Sequence, residues 1–175
     1  MKTLRPAINE KDQQNGNLDS GLILVEYGDY QCPYCRRAHP VVQRMLNEHG
    51  SELKFVFRHF PLQEVHAQAF SAALAAEAAG RQGKFWSMHN LLFENQDQFH
   101  QKTVFLDLAK ELGLDLGQFI VDRKREDLIC KIEKDFKSGL YSGVNRTPTF
   151  FVNETKISTY DGSYESLLAT VELFV

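Results

Sequence analysis

Polar positions dominate residues 1 to about 20, and Asn15, Gly16 and Asn17 add turn-forming character, so this stretch reads as a surface arm. The apolar pattern begins at Leu22-Ile-Leu-Val-Glu-Tyr27, a short β-rich run that predicts a buried strand. Behind it, Ala38, Val41, Val42, Met45 and Leu46 recur at helical spacing and predict a helix over 33–48. Leu53-Lys-Phe-Val-Phe-Arg58 predicts the next strand. Strand, helix and strand within 22–58 make a βαβ unit, whose two strands run parallel.

From His66 to Gly143 the pattern is helical throughout. An Ala-rich segment runs from His66 to Gly80, and Phe85, Met88, Leu91 and Leu92 form one stripe over the next. Thr103 is placed to cap a helix ending at Leu112, and Asp115 with Gln118 resembles a capping box for another. Leu128, Ile132 and Phe136 carry a helix from Glu126 to about Tyr141. The β pattern returns at Thr149-Phe-Phe-Val152, with Asn153-Glu154 as a two-residue turn and Lys156 to Tyr160 as the second hairpin arm. Ser163 caps a last helix to about Phe174. The predicted organisation is an arm over 1–20, a βαβ half over 21–64, an all-helical insertion over 65–143 and a ββα half over 144–175, together one structural unit of the α/β class.

Composition adds limits. With 175 residues, 43% hydrophobic and 25% charged, the chain can form one domain with a full core and no disulfide staples. A formal net charge of −3 gives no reason to expect nucleic acid or an anionic membrane surface as a partner. No apolar run approaches the length that spans a bilayer. Lys2 and Arg5 are not followed by the apolar core of a signal peptide, so the expected compartment is the cytoplasm, or the periplasm if an export signal has been removed.

Three cysteines are too few, and odd in number, for a disulfide scaffold, so the pair Cys32-Pro33-Tyr34-Cys35 points to redox or metal chemistry. It lies where the first strand passes into the first helix. Pro33 suits the first helical position, because its missing N–H would be unpaired there anyway. Cys32 then occupies the N-cap, where free backbone N–H groups and the positive helix end favour a thiolate and depress its pKa. Cys35 lies one turn on, within disulfide reach. The first sulfur is expected to be exposed at the tip and the second to point back into the protein, giving a nucleophile and a resolving thiol. A closed zinc site needs four ligands, and only Cys130 remains, with no Cys or His three residues from it. A structural disulfide closing so small a ring would restrict the unfolded chain little. A reactive dithiol is preferred among the three.

Two further features support that preference. Glu26 interrupts an apolar strand six residues before Cys32. A carboxylate on the core side is costly without a partner or a task. Desolvation would raise its pKa and suit it to exchange a proton with Cys35. On the opposite strand face it would simply be solvated. Arg146-Thr147-Pro148-Thr149 enters the returning strand, where Pro is tolerated at the start but cannot donate to the ladder.

Other residues receive plainer readings. Cys130 is expected as a small buried hydrophobe. His39 is assigned to packing or the helix surface, and His59 and His66 flank a loop without other ligands nearby. Phe85, Trp86 and Phe93 are assigned to the core of the insertion, and Arg123-Lys124-Arg125 to a solvated face. Tyr30 and Tyr34 flank the dithiol as candidates to line a substrate groove.

Taken in order, the sequence resembles the DsbA-like branch of the thioredoxin superfamily. The likeness rests on Cys32-Pro33-Tyr34-Cys35 opening a helix, Glu26 six residues before it, Pro40 five after Cys35, the helical insertion, and Thr147-Pro148 before a hairpin and final helix. LVEYGDYQCPYC, FRHFPL and GVNRTPTFFVN resemble more narrowly a subgroup of short bacterial members, some fused to Na+/H+ antiporters. The resemblance implies a thioredoxin fold with a four-stranded core. It also implies a cis-Pro148 loop beside Cys32 whose Thr147 backbone pairs with an extended substrate, with Pro33 and Tyr34 also at the substrate face. Two departures stand out. Glu154 replaces the Gly usual after the hairpin Asn. Tyr34 replaces the His of the periplasmic oxidase prototype, adds no positive charge beside Cys32, and so implies a milder oxidant. Pro-Tyr is also the glutaredoxin dipeptide, which brings in glutathione as a candidate partner.

The expected function is thiol–disulfide exchange with a protein or small-thiol substrate, electrons passing through Cys32 and Cys35 with a redox partner protein and no bound cofactor or metal. The alternatives are a glutathione-linked disulfide reductase, a redox-sensing or metal-handling module gripping with the same two thiolates, and a non-catalytic domain retaining the pair as a remnant.

Overall fold

The computed structural model describes residues 3–174. Along the chain come β1 (Gln13–Gly16), β2 (Ile23–Gly28), α1 (Pro33–His49), β3 (Lys54–His59), α2 (Ala69–Gly80), α3 (Phe85–Glu94), a 3-10 turn (Gln96–Gln98), α4 (Val104–Glu111), α5 (Leu116–Asp122), α6 (Glu126–Tyr141), β4 (Thr149–Val152), β5 (Thr155–Lys156) and α7 (Tyr164–Glu172). The strands lie in the order β1-β3-β2-β4-β5. β2 and β3 run parallel, as their joining helix requires, whereas β4 returns antiparallel to β2 and β5 folds back on β4. This is the βαβ…ββα thioredoxin pattern with α2–α6 inserted between its halves.

β2 is central and buried on both faces, so its side chains divide by strict alternation. Leu24 belongs to the core against α1, with Phe55, Phe57, Phe150 and Val152. Val25 and Tyr27 belong to the core on the other face, with Val56, Phe60, Val144 and Phe151. Glu26, two residues from Leu24, therefore points to the α1 side. In the insertion, α2 is apolar nearly all round and buried, as its alanines predict for a central helix. Its one buried acid, Glu77, accepts from Gln13 Nε2 at 2.9 Å and pairs with His59 Nε2 at 2.8 Å. α6 passes so close to the second face that a Cβ at Gly139 would stand 2.6 Å from the Phe60 ring.

The arm expected over residues 1–20 is packed structure in its described part, from residue 3 onward. It supplies β1, antiparallel to β3, so the sheet has five strands where the resemblance implied four. Upstream of β1, Thr3 bridges to Thr155 and Leu4 is buried. The fastening is Arg58, which is 1% exposed. Its guanidinium donates to Asp12 Oδ1 and Oδ2 at 2.8 and 2.9 Å, to the carbonyls of Pro6 and Ala7, and to the Tyr27 hydroxyl. Asp12 and Arg58 are 46 residues apart, so polar composition near the start concealed a buried ion pair.

Smaller differences lie at element ends. Thr103 has helical backbone angles and its side chain makes no cap bond. Asp115 Oδ1 does accept from the Gln118 N–H, but Gln118 turns its amide to Asp122, leaving the box half formed. The hairpin turn holds Asn153 at φ 54°, whereas its second arm stops at Lys156. Ser163 caps α7 by accepting from the Ser166 N–H.

Asp12→Ala strips a buried guanidinium of its carboxylate. It is expected to cost roughly 3 to 5 kcal/mol in denaturant unfolding, and a loss below about 1 kcal/mol, the worth of an exposed pair, would show that Arg58 does not anchor the arm.

Candidate active site

Cys32 is the N-cap of α1, with φ −73° and ψ 124°, and Pro33 follows as the first helical residue. Its amide donates to the Asp29 carbonyl at 3.1 Å, closing the turn after β2. Both cysteines are thiols in this structure. Cys32 accepts a hydrogen bond from the Cys35 thiol, and this chiefly lowers its pKa to about 5. Burial opposes the shift, while the N–H groups of Cys35 and Tyr34 add to it. The effects on Cys35 have the opposite sign. It is 0% exposed, and its thiol is pushed well up by burial, then by donating to Cys32, then by the charges of Glu26 and Cys32. The Asp29 N–H, 3.5 Å from its sulfur, offsets a little of this.

Cys32 is only 4% exposed, not at an open tip as expected. The Thr147-Pro148 bond is cis, and this loop brings the Thr147 carbonyl 3.4 Å from Cys32 Sγ, where it accepts from the thiol. Thr147 is buried, whereas Pro33 and Tyr34 are exposed beside it. Arg37 lays its guanidinium 4.6 Å from the centre of the Tyr34 ring, so a cation does stand at the rim.

Glu26 lies beneath the pair, 2% exposed, between Phe57 on β3 and Phe150 on β4, its direct cross-strand neighbours. Gly28 is required above it, since a Cβ there would collide with the Phe57 ring and stand 3.2 Å from Glu26 Oε1. Desolvation, and secondly the Cys32 charge, push the Glu26 carboxyl up to about 8. Its Oε1 is buried without a protein hydrogen-bond partner.

Several residues around the dithiol went unmarked in the sequence. Asp29, 2% exposed, accepts from the N–H groups of Gln31 and Leu62 at 2.8 and 2.9 Å and lies 2.8 Å from His66 Nδ1, joining the cysteine turn to the loop after β3. Gln96 in the 3-10 turn donates to the carbonyls of Tyr30 and Cys32 at 2.7 and 3.1 Å. Next to it, Asp97 pairs with both terminal nitrogens of Arg36. The insertion thus grips the first turn of α1. An acid three residues before Cys32 was the only local sign, because the partners on other elements lie 33 to 66 residues away.

The remaining assignments divide. Phe85 and Phe93 are core, and Trp86 packs against it. Tyr30 lines no groove: it is 1% exposed and its hydroxyl meets His89 Nδ1 at 2.9 Å. His39 packs against Phe93, and burial lowers its pKa to about 4. His59 and His66, read as flanking a loop without other ligands nearby, each pair with one carboxylate, Glu77 and Asp29. Cys130 is half-buried instead of fully buried. Arg123 is not a solvated charge but lies over the rings of Phe105 and Phe119. Among the described residues, no three His, Cys, Asp or Glu side chains converge as a metal site requires. None of the described helices is long and apolar enough to cross a membrane.

The sequence model of the family described as "Thioredoxin" matches residues 9–172. The chain is 39% identical over 155 residues to the Na(+)/H(+) antiporter NhaA 1 of Mycolicibacterium vanbaalenii, covering 87% of this chain and 25% of the antiporter. It is 40% identical over 171 residues to the protein of the same name from Salinispora arenicola, covering 95% and 25%. The chain thus spans about a quarter of the curated relatives it matches. Among solved structures, a thioredoxin-like oxidoreductase from Silicibacter pomeroyi superimposes with a TM-score of 0.82 at 27% identity, covering 95% of this chain and 93% of that one. BdbD from Bacillus subtilis, in its oxidised form, gives 0.80 at 25% identity, covering 94% and 92%. With the family match spanning nearly the whole chain and the thiol–disulfide exchange fold shared along its length, the protein belongs to the thioredoxin family, in its DsbA-like branch.

Proposed function

We propose that this protein exchanges disulfides with extended protein or small-thiol substrates through the Cys32–Cys35 dithiol. The single observation that carries this reading is the opposed electrostatics of the two thiols, with Cys32 held down to about 5 and Cys35 pushed well up. At neutral pH the first is a thiolate ready to attack and the second keeps its proton. Such an asymmetry suits a nucleophile and a resolving thiol. No bound cofactor is needed in this scheme, because the electrons travel on the two sulfurs.

In the reductive direction, the Cys32 thiolate attacks one sulfur of a substrate disulfide, and the other leaves as a thiolate. The Cys32 charge is then consumed in a mixed disulfide. That charge was one of the two causes raising Glu26, so its loss lets the carboxyl ionise more readily. The Glu26 carboxylate takes the proton of Cys35. The Cys35 thiolate attacks Cys32, the Cys32–Cys35 bond forms, and the substrate leaves as its second thiolate. Read backwards, the same steps oxidise a dithiol. Exposed Pro33 and Tyr34, with the Thr147-Pro148 loop, offer the surface along which an extended substrate lies. The redox poise sets direction: a reducing cytoplasm, the expected compartment, favours reduction or isomerisation, and an oxidising periplasm favours oxidation.

Cys32→Ser is expected to abolish insulin disulfide reduction, and retained activity sinks the mechanism. Cys35→Ser should instead accumulate mixed disulfides, seen as reductant-sensitive bands on gels; if none form, Cys35 is not the resolving thiol.

Glu26 carries a pH-dependent prediction. In the folded protein its carboxyl ionises near pH 8, whereas in the unfolded chain it ionises in the ordinary carboxylate range. The folded state therefore loses stability as pH rises from that range to about 8, and the loss levels off above. Glu26→Gln should raise reduced-state stability at pH 8 by roughly 2 to 4 kcal/mol and change it little near pH 4. The same variant should slow mixed-disulfide resolution about a hundredfold at neutral pH and flatten its rise with pH. Unchanged stability and an unchanged rate profile would remove Glu26 from the mechanism.

A further inference from the structure

Tyr160, just past β5, is oriented against the habit of its side chain. Tyrosines normally bury the ring and leave the hydroxyl in water. Here the residue as a whole is half-exposed, yet its hydroxyl oxygen is buried and has no protein hydrogen-bond partner. Its ring packs edge-on against Phe150, with centroids 4.9 Å apart. Phe150 is the residue directly opposite Glu26 in the β2–β4 ladder, so Tyr160 lies on the face of the sheet that Glu26 enters. Glu26 Oε1 is likewise a buried oxygen without a partner.

Two unpaired buried oxygens on one face of the sheet each cost about 1 to 3 kcal/mol unless they are satisfied. A bound water needs two to four polar partners and is the usual solution. The two oxygens make no direct bond to each other. The charged and titratable groups facing Glu26 are Cys32 and Cys35 on α1, Tyr30 in the turn after β2, and Tyr160. Those facing Tyr160 are Glu26, Asp161, Cys35 and Arg37. Burial, followed by the charges of Glu26, Asp161 and Cys35, raises the phenol to about 12, so it remains a neutral hydroxyl that can both donate and accept.

We propose that Tyr160 is a positioning residue for the Glu26 proton relay: its hydroxyl and Glu26 Oε1 hold one water between them, and Glu26 exchanges its proton with solvent through that water. This rests on the dithiol reading above. During resolution, the proton leaves Cys35 for the Glu26 carboxylate while the electron pair it leaves behind forms the Cys35–Cys32 bond. The Cys32–substrate bond breaks, and its electrons depart on the substrate thiolate. Glu26 then returns its proton to the bridging water, which passes it to bulk solvent, so Glu26 can accept again when the next mixed disulfide has formed. Tyr160 itself gains and loses no net proton.

Tyr160→Phe keeps the ring against Phe150 and removes only the hydroxyl. Isotope-edited infrared titration of Glu26 in the reduced protein should show its midpoint moving up by about one unit, since the ionised carboxylate loses a hydrogen-bonded water. Release of a chromogenic thiol from Cys32 should slow about tenfold at neutral pH, the same tenfold change in proton affinity. Formation of that mixed disulfide should be unaffected. In a Glu26→Gln background, Tyr160→Phe should slow release no further. Tyr164→Phe serves as the control, because Tyr164 bonds to Glu48 on α1; it should leave Glu26 unmoved. An unchanged Glu26 midpoint and release rate in a folded Tyr160→Phe protein overturns the proposal, as does equal slowing with Glu26 already replaced. If the unmodified protein exchanges no disulfides, the functional reading fails separately, and the Glu26 titration still decides the place of Tyr160.

Discussion

The hydrogen bond from the Cys35 thiol to the Cys32 sulfur is the interaction on which the rest of this structure depends. It is the largest single effect lowering Cys32, and it also helps raise Cys35. One bond thus separates two chemically identical side chains into an attacking thiolate and a proton-bearing resolving thiol. It needs both sulfurs on the first turn of a helix, one at the N-cap and one a turn inward, with the inner one buried beside the Glu26 carboxyl.

Much of the fold serves to keep that first turn in place. From below, β2 ends at Gly28, which lets the chain turn over Glu26 without displacing Phe57. From one side, Asp29 gathers two amides and the His66 ring. From another, Gln96 and Asp97 of the insertion hold Cys32, Tyr30 and Arg36. From above, the cis Thr147-Pro148 loop closes over Cys32. The insertion is therefore part of the site's framework as well as a neighbour of the sheet. Burial on the α1 face of β2 gives Glu26 its high proton affinity, and packing of the N-terminal segment by Arg58 helps bury the second face.

The sequence conveyed what depends on local chemistry. Strand and helix periods, Pro33 at the helix start, the cysteine spacing and the position of Glu26 in strand alternation all act over a few residues, and the structure places those elements accordingly. What it concealed acts at long range. The N-terminal segment looked like an arm because Asp12 gave no hint of Arg58, 46 residues on. Cys32 looked exposed because the loop that covers it arrives 115 residues later. Gln96 and Tyr160 look like ordinary surface residues, since a lone polar side chain shows its partners only after the chain has folded. Tyr30 was misplaced for a related reason: adjacency to the cysteines says nothing about which way a ring turns.

The account stands or falls on the charge of Cys32. Titrating its thiolate absorbance in the reduced protein, with Cys32→Ser as the blank, measures that charge directly. The midpoint should lie near pH 5. A midpoint in the ordinary thiol range, about 8.5, would contradict the account, because neither the helix start nor the Cys35 hydrogen bond would then be setting the nucleophile.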